Sequence, residues 1–145
     1  MPSLVTQVPA ADSASAVHHF ETAFGFETDC WDVHEAMTRE RDFVLIDVRS
    51  AELFARGHVP GAVNIPHAKI IHSRMVAYVP GTLFVVYCAG PHCNGAERAA
   101  LRLARLGLPV KVMVGGMTGW LDEGFSLESA ATSAAWERDA RPGNR

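Results

Sequence analysis

Leu83-Phe84-Val85-Val86-Tyr87-Cys88-Ala89-Gly90-Pro91-His92-Cys93-Asn94-Gly95 is the stretch that decides the fold. Its first five residues are all apolar, mostly β-branched or aromatic, and read as a buried strand. Residues 89–95 are too rich in Gly and Pro for regular structure. Residues 96–106 then read as a helix, with Gly107 at its C-cap. Cys88 therefore falls at the carboxyl tip of a strand, on a tight loop that feeds a helix N-terminus. Loop N–H groups and the positive end of the helix dipole both favour a thiolate there. Cys88 is accordingly expected to be the first thiol alkylated.

Working outward, the same alternation repeats. Asp12 or Ser13 caps a helix to about Phe24, with Val17, Phe20 and Phe24 on one face and Gly25 as its stop. A short strand is expected near residues 26–28. Asp29 then caps a second helix, with Asp32 in a capping-box-like position and Val33, Ala36 and Met37 facing inward. Residues 43–48 are a second buried strand, 50–55 a short helix stopped by Gly57, and 62–65 a brief strand. Residues 67–78 are weakly helical, 110–114 form a further strand, and 117–123 a short helix after the Gly115-Gly116 turn. The tail from Ala130 is polar, with Trp136 as a docking point.

Strands that alternate with helices and are apolar throughout predict an α/β domain. Its sheet is mostly parallel and five-stranded, with helices on both faces. In open sheets of this kind ligands bind outside the carboxyl ends of the strands, where Cys88, Asp47 and Gly115 are expected to lie. The organisation reads as an N-terminal extension with a helix over 1–28, the α/β domain over 29–128 and a tail over 129–145.

The chain has 145 residues, enough for one domain with a sizeable core. Hydrophobic residues make up 48% and charged residues 20%, an ordinary globular balance. A net charge of −3 and the lack of a Lys/Arg run argue against a nucleic-acid or anionic-membrane partner. Three cysteines are too few for a disulfide framework and suit a reducing compartment. With no signal-peptide pattern and no apolar span, a cytoplasmic location is expected.

Several short motifs resemble the rhodanese family. They are Asp47-Val48-Arg49, Glu52-Leu53-Phe54, Gly57-His58-Val59-Pro60-Gly61-Ala62, Asn64-Ile65-Pro66, Val86-Tyr87-Cys88, and Gly115-Gly116 with Trp120. Each is weak alone, but six in register over about residues 29–124 make a strong signal. The resemblance implies a single rhodanese-like three-layer domain. It also implies a sulfurtransferase whose cysteine takes up sulfane sulfur as a persulfide and hands it to a thiophilic acceptor. Cys88 stands at the nucleophile position. The partner is then a small sulfur compound or a protein persulfide donor or acceptor, with no cofactor. The loop departs from the family pattern: it is about two residues longer, lacks a basic residue between Cys88 and Cys93, and lacks the closing Gly-x-Arg. The nearest Arg is Arg98, a turn into the helix.

The residues themselves suit sulfur transfer. A thiolate attacking sulfane sulfur expels sulfite or a thiolate, good leaving groups, so no general acid is required. What is needed is a deprotonated cysteine and a cradle of N–H donors. Ala89 and Gly90 are small, Pro91 stiffens the loop, and Asn94 with Glu97 suggests a capped helix start near Gly95. A bound anion would rely on these amides and the helix dipole, aided by His92.

Cys93 admits three readings: a packed small residue, a resolving thiol that attacks a Cys88 persulfide or sulfenate, or the nucleophile itself. Cys30 reads as packing beside Trp31. Asp47 and Arg49 read as an internal bracket before substrate contacts, and His58 as structural. The remaining histidines show no ligand spacing, so no metal is expected. Trp120 is expected to pack against the sheet. Other function classes stay open. One is a non-catalytic binding or regulatory module on the same fold. Others are a Cys88/Cys93 thiol redox enzyme and a phosphatase or arsenate reductase, though the last lacks an Arg fork and an acid in this loop. The N-terminal helix leaves a homodimer open.

Overall fold

Two apolar faces of one sheet organise the chain, and a computed structural model describes residues 1–129. Five strands run parallel: β1 (Glu27–Asp29), β2 (Val44–Asp47), β3 (Val63–Asn64), β4 (Phe84–Tyr87) and β5 (Val110–Val114), in the order β1-β5-β4-β2-β3. The helices are α1 (Ser13–Phe26), α2 (Cys30–Thr38), α3 (Ala51–Arg56), α4 (His72–Met75), α5 (Gly95–Arg105) and α6 (Gly116–Asp122), with a 3-10 turn at His67–Lys69.

Strand alternation sorts the core into two layers. Leu45, Val85 and Tyr87 pack with Cys30 and Val33 of α2 and with Met117 and Trp120 of α6. Ile46, Phe84, Val86 and Cys88 face the other way, onto Ala96, Ala99 and Leu103 of α5 and Met75 of α4. Residues 96, 99 and 103 recur at helical spacing and form the inner stripe of α5. Burying Leu103 fully contributes about 1.5–3 kcal/mol. Gly107, at φ 77°, closes α5: its N–H reaches Ala104 O at 2.9 Å and Leu108 N–H reaches Leu103 O at 3.0 Å.

The element order follows the expected one, with local differences. Gly25 does not stop α1; the helix runs through Phe26 and turns directly into β1, its C-cap Glu27 already extended. Asp29 caps α2 as expected, accepting from Asp32 N–H at 2.8 Å. Val17, Phe20 and Phe24 on α1 are exposed, so the described domain does not cover that face. Residues 67–78 split into the 3-10 turn and α4. Trp136 and nearly all of the tail lie outside the described residues. Among the described residues, no helix is long and apolar enough to cross a membrane.

The topology positions the site. The connection leaving β2 runs through α3 toward β3, whereas the connection leaving β4 runs through α5 toward β5. β2 and β4 are hydrogen-bonded neighbours, with Asp47 beside Tyr87. Their two exits diverge, and a crevice opens beyond their carboxyl ends.

Candidate functional site

Cys88 is the first residue past β4, and the sheet's alternation turns it onto the α5 face. The N-terminus of α6 fixes the chain around it. Met117 N–H donates to Cys88 O at 3.0 Å, Thr118 N–H to Ala89 O at 3.0 Å, and Thr118 Oγ1 to Ala89 O at 3.1 Å. A Cβ on Gly116 would collide with the Cys88 carbonyl, and one on Gly90 would lie 2.6 Å from Thr118 Oγ1. Both glycines permit this close docking of loop and helix. In a trans peptide the N–H points opposite the carbonyl, so tying Cys88 O to α6 aims Ala89 N–H at the sulfurs. Burial raises the Cys88 thiol and the Ala89 amide opposes that rise only in part; at Cys93 the same amide adds to a net lowering.

The loop then reverses. Cys93 N–H donates to Gly90 O at 3.0 Å, closing a β-turn with Pro91 and His92 at its corners. The turn carries His92 outward, exposed and away from the cleft, contrary to the expected role beside an anion. It also brings Cys93 back beside Cys88. Asn94 does not cap α5 through its side chain: its φ and ψ of −94° and 13° are not extended, and its Oδ1 instead accepts from Arg98 Nε at 3.1 Å. The first free amide of the helix goes to sulfur, with Gly95 N–H donating to Cys93 Sγ at 3.4 Å. A Cβ on Gly95 would sit 2.8 Å from Cys88 Sγ and 3.4 Å from Cys93 Sγ.

These contacts set which thiol ionises first. Burial raises the Cys88 thiol, hydrogen bonding with Cys93 raises it further, and together they push it up to about 11. Hydrogen bonding with Cys88, supported by the Gly95 and Ala89 N–H groups, lowers Cys93. Cys93 is therefore the more acidic thiol of the pair, and Cys88 the one that keeps its proton longer as pH rises. This reverses the expectation that Cys88 is the resting thiolate: the helix-end amide reaches the more open sulfur, and Cys88 is only 8% exposed.

A cleft of about 450 Å³ opens over the pair. Its walls come from three connections: Val48, Arg49, Ser50 and Leu53 after β2, His67 after β3, and Cys88, Ala89, Cys93, Asn94, Gly95 and Arg98 after β4. Gly90, Pro91 and His92 do not line it. His67 was not singled out from the sequence, yet its buried Nδ1 has no hydrogen-bond partner among the described residues. The only available signal was its place just after a strand and Pro66. Beside this cleft lies another of about 440 Å³ against α5, which shares Arg98 and has no thiol in its lining.

Asp47 and Arg49 form the bracket that supports the floor. Asp47 is fully buried; its carboxylate accepts from Arg49 Nη2 at 2.7 Å, Arg49 Nε at 3.0 Å and Tyr87 Oη at 2.8 Å. Arg49 Nη2 also donates to Gly57 O at 2.6 Å, and Tyr87 Oη accepts from Val59 N–H at 3.0 Å. One network thus ties β2, β4 and the loop before β3 together. Burial and the Asp47 charge hold the Tyr87 phenol far above its ordinary range, so it stays a neutral donor.

His58 is buried and stacked on Phe54, with Nδ1 2.7 Å from Phe54 O, and does not line the cleft. Cys30 lies on the opposite face of the sheet. Burial raises its thiol to about 11, and Sγ donates to Val114 O and Gly116 O at 3.6 Å each. Trp120 packs on that same face and donates from Nε1 to Ser126 O at 2.9 Å. Among the described residues, no group of three or more His, Cys, Asp or Glu is arranged to hold a metal ion.

The model of the rhodanese-like domain matches residues 31–123, from α2 through α6 and across the whole site. The chain belongs to the rhodanese-like family. A solved structure, the BH2092 protein of Bacillus halodurans, shares this rhodanese-like fold with a TM-score of 0.79 and 31% identity, over 83% of this chain and 90% of that one. The HTH-type transcriptional regulator Rv0324 of Mycobacterium tuberculosis is 36% identical over 91 residues, 62% of this chain and 39% of that protein. The adenylyltransferase and sulfurtransferase UBA4 of Yarrowia lipolytica is 31% identical over 88 residues, 58% of this chain and 22% of that protein. The rhodanese-like chain thus spans well under half the length of both of these relatives.

Proposed function

We propose that this rhodanese-like chain is a sulfurtransferase that takes up sulfane sulfur on Cys88 as a persulfide and passes it to a thiophilic acceptor. The observation that carries the reading is the placement of Cys88. It stands at the carboxyl end of the central strand and opens on the cleft at the divergence of β2 and β4, with Ala89 N–H directed at it. As a donor approaches, Cys88 gives up its proton to solvent and attacks the sulfane sulfur as the thiolate. The new bond joins Cys88 Sγ to that sulfur, the donor's bond to it breaks, and the donor leaves as a thiolate with the electron pair. The Ala89 amide supports the charge that develops on sulfur. His67 forms part of the cleft wall that the substrate meets.

A persulfide donor fits this cleft better than doubly charged thiosulfate. Arg49 is engaged by Asp47 and Gly57, and Arg98 by Asn94, so neither guanidinium is wholly available to a dianion. The same shortage disfavours a phosphatase, and among the described residues no Asp or Glu lines the cleft to protonate a leaving oxygen. A reducing compartment such as the cytoplasm would supply thiol donors and acceptors.

The likeness to a protein named a transcriptional regulator favours a second reading, in which the same pocket reports on sulfur within a regulatory protein. Turnover separates the two. With an alkyl persulfide as donor and a small thiol as acceptor, wild type should transfer sulfur catalytically and Cys88→Ser should fall to background. Transfer by Cys88→Ser at the wild-type rate contradicts the proposal, and a single stoichiometric loading without turnover selects the regulatory reading.

A further inference from the structure

Sulfur transfer needs only one cysteine, yet the loop presents two to the same cleft. The β-turn at residues 90–93 folds Cys93 back onto Cys88, and both sulfurs flank the space left by the missing Cβ of Gly95. Cys93 Sγ is held at this position by Gly95 N–H, 3.4 Å away. A residue that merely packed would need neither the helix-end amide nor access to the cleft. Cys93 is the more exposed of the two, and Cys30 lies across the sheet, beyond reach of either.

We infer that Cys93 is a resolving nucleophile that attacks Cys88 Sγ of the persulfide and releases hydrosulfide, giving the chain a persulfide reductase activity. The inference rests on the Cys88 persulfide of the proposed function. In the step, the Cys93 thiolate forms a bond to Cys88 Sγ. The bond from Cys88 Sγ to the outer sulfur breaks, and that sulfur leaves with the electron pair and its proton as HS⁻. The two cysteines are oxidised to a disulfide and the sulfane sulfur is reduced to sulfide. A dithiol reductant, through two successive exchanges, returns the loop to its dithiol state and is itself oxidised. The lowered pKa of Cys93 suits this order, because the attacking sulfur reaches its thiolate form more readily than Cys88 does.

The test is anaerobic treatment of the full chain with one equivalent of an alkyl persulfide, without added thiol. Released sulfide is measured, and mass mapping follows. Wild type is expected to release one sulfide per chain and to end about 2 Da lighter, with a Cys88–Cys93 linkage. Cys93→Ser is expected to release none and to hold an extra ~32 Da on Cys88. Wild type that keeps the extra sulfur on Cys88, with no sulfide and no linkage, overturns the inference and leaves the proposed function standing. Disulfide formed without matching sulfide also overturns it. If neither protein gains sulfur or releases sulfide, the proposed function fails and the inference falls with it. The wild-type mapping decides by itself should Cys93→Ser fold poorly.

Discussion

Gly95→Ala probes the most constrained point of the site. The added Cβ would lie 2.8 Å from Cys88 Sγ and 3.4 Å from Cys93 Sγ. Favourable contacts between heavy atoms of this size lie at about 3.5–4.0 Å, so Cys88 Sγ must retreat by roughly 1 Å. Retreat is hard, because Cys88 is buried against Val86 and Ala96 and its carbonyl is held by Met117 N–H. Overpacking of this kind costs about 1–3 kcal/mol. Replacing Gly by Ala in a helix returns about 0.5–1 kcal/mol, so the net loss of stability is about 0–2.5 kcal/mol. Chemistry should suffer more, since a ~1 Å misplacement of a reacting group costs about 100-fold. Urea unfolding gives the first quantity and single-turnover persulfide formation the second. A variant that loads sulfur at the wild-type rate would refute the claim that the glycine makes room for a positioned Cys88 thiol.

Other outcomes follow from the same geometry. Tyr87→Phe removes the hydroxyl between Val59 N–H and Asp47 and leaves a buried amide unpaired, so urea unfolding should show a loss of about 1–3 kcal/mol. Iodoacetamide near neutral pH should modify Cys93 before Cys88, because a lowered pKa means more thiolate at a given pH, and should spare Cys30. Peptide mapping of the first label checks the order; a first label on Cys88 would contradict it. In Cys93→Ser the alkylation pKa of Cys88 should fall below about 11, since one cause of its rise is gone, while burial keeps it above an ordinary thiol.

The sheet was legible because its strands are unbroken apolar runs punctuated by Gly and Pro, a pattern that local sequence carries in full. Leu83-Phe84-Val85-Val86-Tyr87 and the Gly/Pro loop after it located Cys88 at a strand tip without any tertiary knowledge. The Asp47–Arg49 bracket and the packing roles of Cys30 and Trp120 were also readable. What the sequence hid depends on direction and on distant neighbours. His92 sits in the loop but at the corner of a β-turn, and only the Gly90–Cys93 hydrogen bond shows that it points away. Asn94 has the chemistry of a cap, yet its backbone is not extended and Cys93 Sγ takes the amide instead. Ser50, Leu53 and His67 line the cleft because three separate connections converge beyond the strand ends, a juxtaposition no local pattern encodes. The greater acidity of Cys93 was hidden as well, since it follows from the unequal burial of two neighbouring sulfurs and from the amide that reaches Cys93.

The most direct test of the central claim is to load Cys93→Ser with an alkyl persulfide, trap the product with an alkylating agent and map the added sulfur by mass. The account predicts one extra sulfur, about 32 Da, on Cys88 and none on Cys30. Sulfur found on Cys30, or a chain that gains none while its fold is intact, would contradict it.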